Sequence, residues 1–344
     1  MEGEIDLDVA ALNEWIGDRL PGVGDPLSAE RMGTGTGQAN ALFFLRRGDH
    51  EWVLRRPPLV KNHPTASDTA REWRILNALV GTSVPHPAPR LFNDDPQVLG
   101  ATFMIMDRVV GFTPGGGLPE PFASDEQGQW DLAMAYVDGL IELSKVDWVA
   151  GGLEGLGKPD GFLERQVHRW RSQLDGYRAR VIPEEEFLCD WLERNRPPMS
   201  PAAILHGDYS PFNVMAAPDL PGRLAAIIDW DTGTIGDPLL DIGHLLARWN
   251  EPGETPALRQ IADDVTRNYP TRAQMAQRYA GGTGRDLSTL PYYEVLALFK
   301  LGVILEGAYA RAKRAGVLDD ENPMGQNVVD LFRCAAAFAR GERV

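Results

Sequence analysis

The sequence predicts an α+β chain with a strand-rich beginning and a long helical remainder. Two observations predict it. Apolar runs at Ala41 to Leu45, Trp52 to Leu54 and Phe103 to Val109 have the length and residue types of strands, and all fall in the first third of the chain. Beyond Asp125 the apolar residues recur at helical spacing, as in Trp130, Ala133, Met134, Val137, Leu140 and Ile141. Strands first and helices later fit an antiparallel sheet followed by helices, not the alternation of a parallel sheet. The boundary between the two parts is placed at 107/108, giving units 1–107 and 108–344.

The elements follow in order. Leu7 to Leu20 reads as a short helix ended by Pro21-Gly22. Gly33-Thr34-Gly35-Thr36-Gly37-Gln38-Ala39-Asn40 is a glycine-rich turn whose missing Cβ atoms let backbone N–H groups approach phosphates. Arg47-Gly48-Asp49 joins two strands as a hairpin. Ser67 to Val80 is a helix with Glu72 on the same face as Ile75, Leu76 and Leu79. An acid on an apolar face needs a partner, and Arg55, at the end of the preceding strand, is the natural one. Gly111 to Pro121 is a loop. Helices are expected at Asp125 to Lys145, Phe162 to Arg180, Glu184 to Arg194, Leu239 to Trp249, Pro256 to Tyr269, Arg272 to Tyr279, Tyr292 to Ala315 and Asn327 to Arg340.

Composition narrows the class. A chain of 344 residues with a hydrophobic share of 43% can build two sizeable cores. A net charge of −15 disfavours nucleic acid and anionic membranes as partners. No run reaches the length of a membrane span. Met1-Glu2-Gly3-Glu4 lacks the basic-then-apolar order of a signal peptide, and two cysteines make neither a metal cluster nor a disulfide framework. A cytoplasmic setting is expected.

The chemistry concentrates in Leu205-His206-Gly207-Asp208-Tyr209-Ser210-Pro211-Phe212-Asn213 and Ile227-Ile228-Asp229-Trp230-Asp231. Asn213 follows Asp208 after four residues, and Asp229 lies sixteen further on. Each acid closely follows an apolar run, Ala202 to Leu205 or Ala225 to Ile228, so all three groups are expected at the mouths of neighbouring strands. One carboxylate to orient a hydroxyl, with an amide oxygen and a second carboxylate to hold magnesium, is what phosphoryl transfer requires.

These segments resemble the aminoglycoside phosphotransferase and choline kinase superfamily, which has a two-lobed protein-kinase-like fold. His206-Gly207-Asp208, Asn213 and Ile228-Asp229-Trp230 carry the resemblance. Within it, Val53-Leu54-Arg55-Arg56-Pro57-Pro58, Arg71-Glu72-Trp73-Arg74-Ile75-Leu76 and Phe299-Lys300-Leu301-Gly302-Val303-Ile304-Leu305-Glu306-Gly307-Ala308-Tyr309-Ala310-Arg311 resemble the group related to the kinase domains of acyl-CoA dehydrogenase family members 10 and 11. The resemblance implies an enzyme that transfers the γ-phosphoryl group of ATP or GTP, with Mg²⁺, to a small-molecule hydroxyl. That acceptor would be a hydroxyacyl-CoA or hydroxy acid, or, in an alternative reading, an aminoglycoside or amino alcohol.

The resemblance also assigns roles. Asp208 is the catalytic residue, Asn213 and Asp229 the metal ligands. Arg55 with Glu72, Gly33, Gly35 and Gly37, and the hinge at Asp107 and Val109, would bind nucleotide. Separately, the substrate pocket is expected among the later helices, facing Asp208, with Trp230, Asp231, Trp249, Tyr293, Tyr309 and Arg311 as candidates. His206 reads as a brace of its loop, and Asp241 as an anchor of the same loop. A protein kinase is disfavoured because Asp229-Trp230-Asp231 runs almost directly into Gly236-Asp237-Pro238, with no activation segment. A nucleotide-binding regulator without catalysis is the rival from another class.

Overall fold

The computed structural model describes residues 7–33, 40–57, 69–177, 180–251, 268–318 and 322–342. Gly35, Gly37 and nearly all of the helix expected at Pro256 to Tyr269 lie outside these residues.

Five antiparallel strands form one sheet: β1 (Leu27–Arg31), β2 (Ala41–Arg47), β3 (His50–Arg56), β4 (Pro89–Asn93) and β5 (Phe103–Asp107), in the order β1-β2-β3-β5-β4. The β2–β3 hairpin turns at Gly48 and Asp49, with Arg47 opposite His50. Gly48 has φ +57, and a Cβ there would lie 2.5 Å from Asp25 Oδ2, so the turn needs glycine. Helix α1 (Val9–Ile16) starts at Asp8, whose carboxylate accepts the Ala11 N–H at 2.9 Å. It is shorter than the sequence predicts because the chain reverses at Gly17, φ +54.

Alternation along the strands divides two cores. Phe43 and Leu45, Trp52 and Leu54, and Phe103 and Ile105 pack with Leu12 and Ile16 of α1. Val53, Met104 and Met106 face the opposite way, into the large core with Ile75, Leu76 and Leu79 of α2 (Thr69–Leu79). Both faces of β5 are covered, which is why Phe103 to Met106 is an unbroken apolar run. Arg55 shares the parity of Val53 and faces α2. Arg56 takes the other face, donating to Leu99 O at 3.2 Å with its guanidinium over Phe43.

The rest is helical: α3 (Glu126–Lys145), α4 (Gln166–Tyr177), α5 (Glu185–Arg194), α6 (Leu239–Ala247), α7 (Arg272–Thr283), α8 (Leu290–Arg314) and α9 (Pro323–Ala339). The long α8 lies against α4, α5, α6 and α9. Arg71 of α2 ties the sheet to this part, donating to Leu156 O and Gly233 O at 2.8 Å each.

Two small antiparallel pairs carry the motif residues: β6 (Ala203–Leu205) with β9 (Thr234–Gly236), and β7 (Val214–Ala216) with β8 (Leu224–Ile227). This corrects the expectation that the strands before Asp208 and Asp229 are neighbours. β6 and β8 do not pair; each has its own three-residue partner. A side chain makes the link between them, as His206 Nε2 lies 2.8 Å from Ile228 O. Among the described residues no helix is long and apolar enough to cross a membrane. Cys189 and Cys334 are both buried thiols.

Candidate active site

The loop after β6 is fixed from both sides. Asp241, in the first turn of α6, accepts the backbone N–H groups of His206 at 2.6 Å and Gly207 at 2.8 Å. Lys300 of α8 donates to Gly207 O. Gly207 has φ +82, and a Cβ there would lie 2.7 Å from Thr232 O, so a side chain would collide with the returning chain. Thr232 Oγ1 donates to His206 O at 2.8 Å. With the backbone held, Asp208 projects beyond the loop, its side chain 46% exposed.

Asn213 aims that carboxylate. Its Nδ2 donates to Asp208 Oδ2 at 2.9 Å and Asp208 O at 2.8 Å, leaving the amide oxygen for another partner. Burial by itself raises the Asp208 carboxyl. The neighbouring His244 and the charges of Lys300 and Arg248 outweigh it and hold the group well below the ordinary carboxylate range. Asp208 is therefore ionised at any working pH, a weak base but a permanent acceptor for a hydroxyl.

Asp229 sits beside Asn213 because β7 and β8 pair directly above them, with the Ile228 N–H on Asn213 O at 2.9 Å. It follows the strand in the left-handed region, φ 64 and ψ 65, which Asp tolerates better than most side chains. Such a turn sends the carboxylate out of the strand direction.

Arg55 binds three carboxylates. Its Nε lies 2.8 Å from Glu72 Oε2, and its Nη2 lies 2.8 Å from Asp229 Oδ1 and 2.9 Å from Asp231 Oδ1. Asn40 Nδ2 donates to Asp231 Oδ2 at 2.9 Å. Burial pushes the Glu72 carboxyl up to about 7 even though the Arg55 guanidinium opposes it, and Asp231 and Asp229 push the same way as burial. The hard oxygen donors of Asn213 and Asp229 fit a divalent cation that takes its remaining ligands from phosphates and water. Among the described residues no cluster of three or more His, Cys, Asp or Glu forms a closed metal cage.

A concavity lies next to the Asp208 loop, walled by Tyr209, Ser210, Pro211, His244, Leu245, Arg248 and Trp249. Arg248 Nη1 lies 3.8 Å from Asp208 Oδ1 and 2.6 Å from His244 Nε2.

The structure brings together Asp208, Asn213, Asp229, Arg55, Glu72 and Asp231. Gly33 has φ +71 in open space at the edge of the glycine turn. At the hinge, the Asp107 N–H donates to Ala88 O at 2.9 Å and its carboxylate binds Arg90, so this residue has no free donor for a ligand. Val109 lies past the end of β5, with no backbone partner among the described residues.

Of the substrate candidates, Trp249 lines the concavity, Tyr293 is buried with its hydroxyl donating to Asp237 Oδ2 at 2.7 Å, and four are placed elsewhere. Trp230 is fully buried, its Nε1 on Ile227 O at 3.0 Å and its ring against His206. Asp231 turns toward Arg55 and Asn40, on the sheet side of Asp229. Tyr309 is buried under the Arg180 guanidinium and Arg311 is exposed. Both lie about 13 Å or more along α8 from Lys300, at 1.5 Å per residue. Sequence reasoning missed Arg248 and Lys300. Lys300 was legible only as a cation inside the otherwise apolar start of α8, and Arg248 carried no local signal.

A sequence profile described as the phosphotransferase enzyme family matches residues 33–277. Acyl-CoA dehydrogenase family member 11 of Gallus gallus is 30% identical over 283 residues, covering 80% of this chain and 36% of its own length. The chain spans about two fifths of the length of the curated relatives it matches. Among solved structures, a candidate aminoglycoside phosphotransferase from Ralstonia eutropha superimposes with a TM-score of 0.79 at 27% identity, covering 97% of this chain and 99% of its own. A thermostable mutant of aminoglycoside phosphotransferase APH(4)-Ia, in a ternary complex with AMP-PNP and hygromycin B, has a TM-score of 0.62 at 13% identity, over 96% of this chain and 98% of its own. It shares the fold.

Proposed function

The chain belongs to the phosphotransferase enzyme family, and from that premise we propose that it transfers the γ-phosphoryl group of ATP or GTP to the hydroxyl of a small hydroxyacyl compound, a hydroxy acid or hydroxyacyl-CoA. The observation that carries this reading is the ionised Asp208, held by Asn213 and lying beside His244 and Arg248 of a neighbouring concavity. The AMP-PNP complex of a fold neighbour supports a nucleoside triphosphate as co-substrate. The likeness to acyl-CoA dehydrogenase family member 11 supports an acyl acceptor.

Nucleotide would bind between the sheet of 1–107 and the loops of 108–344, under the glycine turn at Gly33, with Arg55 on its phosphates and its base near Val109. Asn213 and Asp229 would hold Mg²⁺, which screens the charge of the triphosphate. Asp208 accepts a hydrogen bond from the acceptor hydroxyl and takes its proton as the oxygen bonds to the γ-phosphorus. The bond from that phosphorus to the β-phosphate bridging oxygen breaks, and the nucleoside diphosphate leaves. Asp208 then releases the proton to solvent. Since Asp208 is a weak base, most of the rate gain comes from aligning the hydroxyl. Nucleoside diphosphate release, measured with a panel of hydroxy acids, hydroxyacyl-CoAs, amino alcohols and aminoglycosides, tests the reading. Turnover with none of them would contradict it.

A further inference from the structure

We infer that Arg248 is the specificity-determining residue of the acceptor site, and that it hydrogen-bonds an acyl oxygen, a carboxylate or a thioester carbonyl, lying a few bonds from the hydroxyl that Asp208 receives. This rests on the reading of Asp208 given above and adds the chemistry of the acceptor.

The geometry carries it. Arg248 stands just past the end of α6, in the wall of the concavity beside Asp208, with its side chain only 10% exposed. Its Nη1 lies 3.8 Å from Asp208 Oδ1, so a hydroxyl on Asp208 and an oxygen on the guanidinium must belong to closely spaced atoms. The guanidinium has five hydrogens in a rigid fork. One is directed at His244 Nε2 at 2.6 Å, while Nε is buried with no hydrogen-bond partner among the described residues. The guanidinium lines the concavity, where an oxygen acceptor of a ligand would meet it.

His244 positions the fork. Its Nε2 lies 2.6 Å from Arg248 Nη1 and 3.2 Å from Asp208 Oδ1, so the imidazole stands between guanidinium and carboxylate. Its Nδ1 is buried without a partner among the described residues. Burial pulls the Arg248 group down to about 10, the direction expected of a cation that lacks full compensation.

The surrounding charges exclude the opposite class. Among the described residues that line the concavity, Arg248 is the one formal charge and none is a carboxylate. Asp241, which anchors the same loop, has both oxygens on the backbone of His206 and Gly207. A cationic amino alcohol or aminoglycoside would meet a guanidinium where it needs an acid, a repulsive device against that class.

The test compares kcat/KM of wild type, Arg248→Gln and Arg248→Lys on four acceptors of one carbon skeleton: the hydroxy acid, its CoA thioester, the diol that lacks the acyl oxygen, and the amino alcohol. Wild type is expected to favour an acyl acceptor over the diol and the amino alcohol by on the order of 10–100-fold. Arg248→Gln should erase most of that ratio, chiefly through KM, and Arg248→Lys should retain part of it. A larger loss on the acid than on the thioester would identify the carboxylate as the partner, since hydrogen bonds to an ionised acceptor are roughly twice as strong. Equal use of the diol or preference for the amino alcohol by wild type would overturn the inference and leave the kinase reading intact, as would a ratio that survives in Arg248→Gln. No turnover of any acceptor would overturn both.

Discussion

Arg55 Nη2 lies 2.8 Å from Asp229 Oδ1, joining strand β3 of the sheet to a residue two beyond the end of β8 in the helical part. The same side chain holds Glu72 of α2 through Nε, so one guanidinium connects the sheet, its helix and the proposed metal site.

Arg55→Ala should lower stability by about 3 kcal/mol near neutral pH, because removing one partner of a buried ion cluster leaves the others uncompensated. It should also raise the nucleotide KM and lower kcat together. Arg55→Lys keeps the charge but not the fork, so part of the activity should survive. Urea unfolding and steady-state kinetics on both variants check this. Equal loss in Lys and Ala would show that the fork geometry, not the charge, is what matters.

Asp229→Ala should abolish Mg²⁺-dependent nucleotide binding, and Asn213→Ala should weaken it less, since a carboxylate contributes charge and an amide does not. Asn213→Ala should in addition lower kcat, because Asp208 Oδ2 loses the donor 2.9 Å away. Titration calorimetry with Mg²⁺-nucleotide measures the first effect and turnover the second. Undiminished affinity in Asp229→Ala would move the metal elsewhere.

His244 predicts a pH dependence of stability. Burial, only partly offset by Asp208, holds the imidazole down from 6.5 to about 4. As pH falls through that window the unfolded chain takes up a proton that the folded one refuses. The contribution is therefore complete above the upper value and is lost toward the lower, by an amount of order 3 kcal/mol. His244→Gln, whose carbonyl can still accept from Arg248, should flatten this part of the curve. Unfolding midpoints measured at a series of pH values on both proteins decide it; curves that remain parallel would show that His244 does not carry the dependence.

The sequence was most informative where the signal is local. Parity along β3 separates Arg55 from Arg56, and the helical stripe Glu72-Ile75-Leu76-Leu79 supplies the acid that Arg55 meets. His206 to Asn213 is one short loop whose residue types state their chemistry. Strands β7 and β9 were not legible because three residues are too few to show alternation. Arg248 and Lys300 reach the Asp208 loop from helices far along the chain, so only the packing of α6 and α8 reveals them. Tyr309 and Arg311 stand in a motif that resembles the family, but the length of α8 carries them away from the loop that Lys300 touches.

The most direct test of the account is Asp208→Asn, assayed for nucleoside diphosphate release with the acceptor that wild type uses best. An asparagine can still offer an oxygen to Asn213 Nδ2, so the loop and nucleotide binding should persist. The account predicts a loss of kcat on the order of 10²–10⁴-fold with nucleotide affinity retained. Wild-type turnover in this variant would show that Asp208 does not receive the acceptor's proton, and the proposed site would be misplaced.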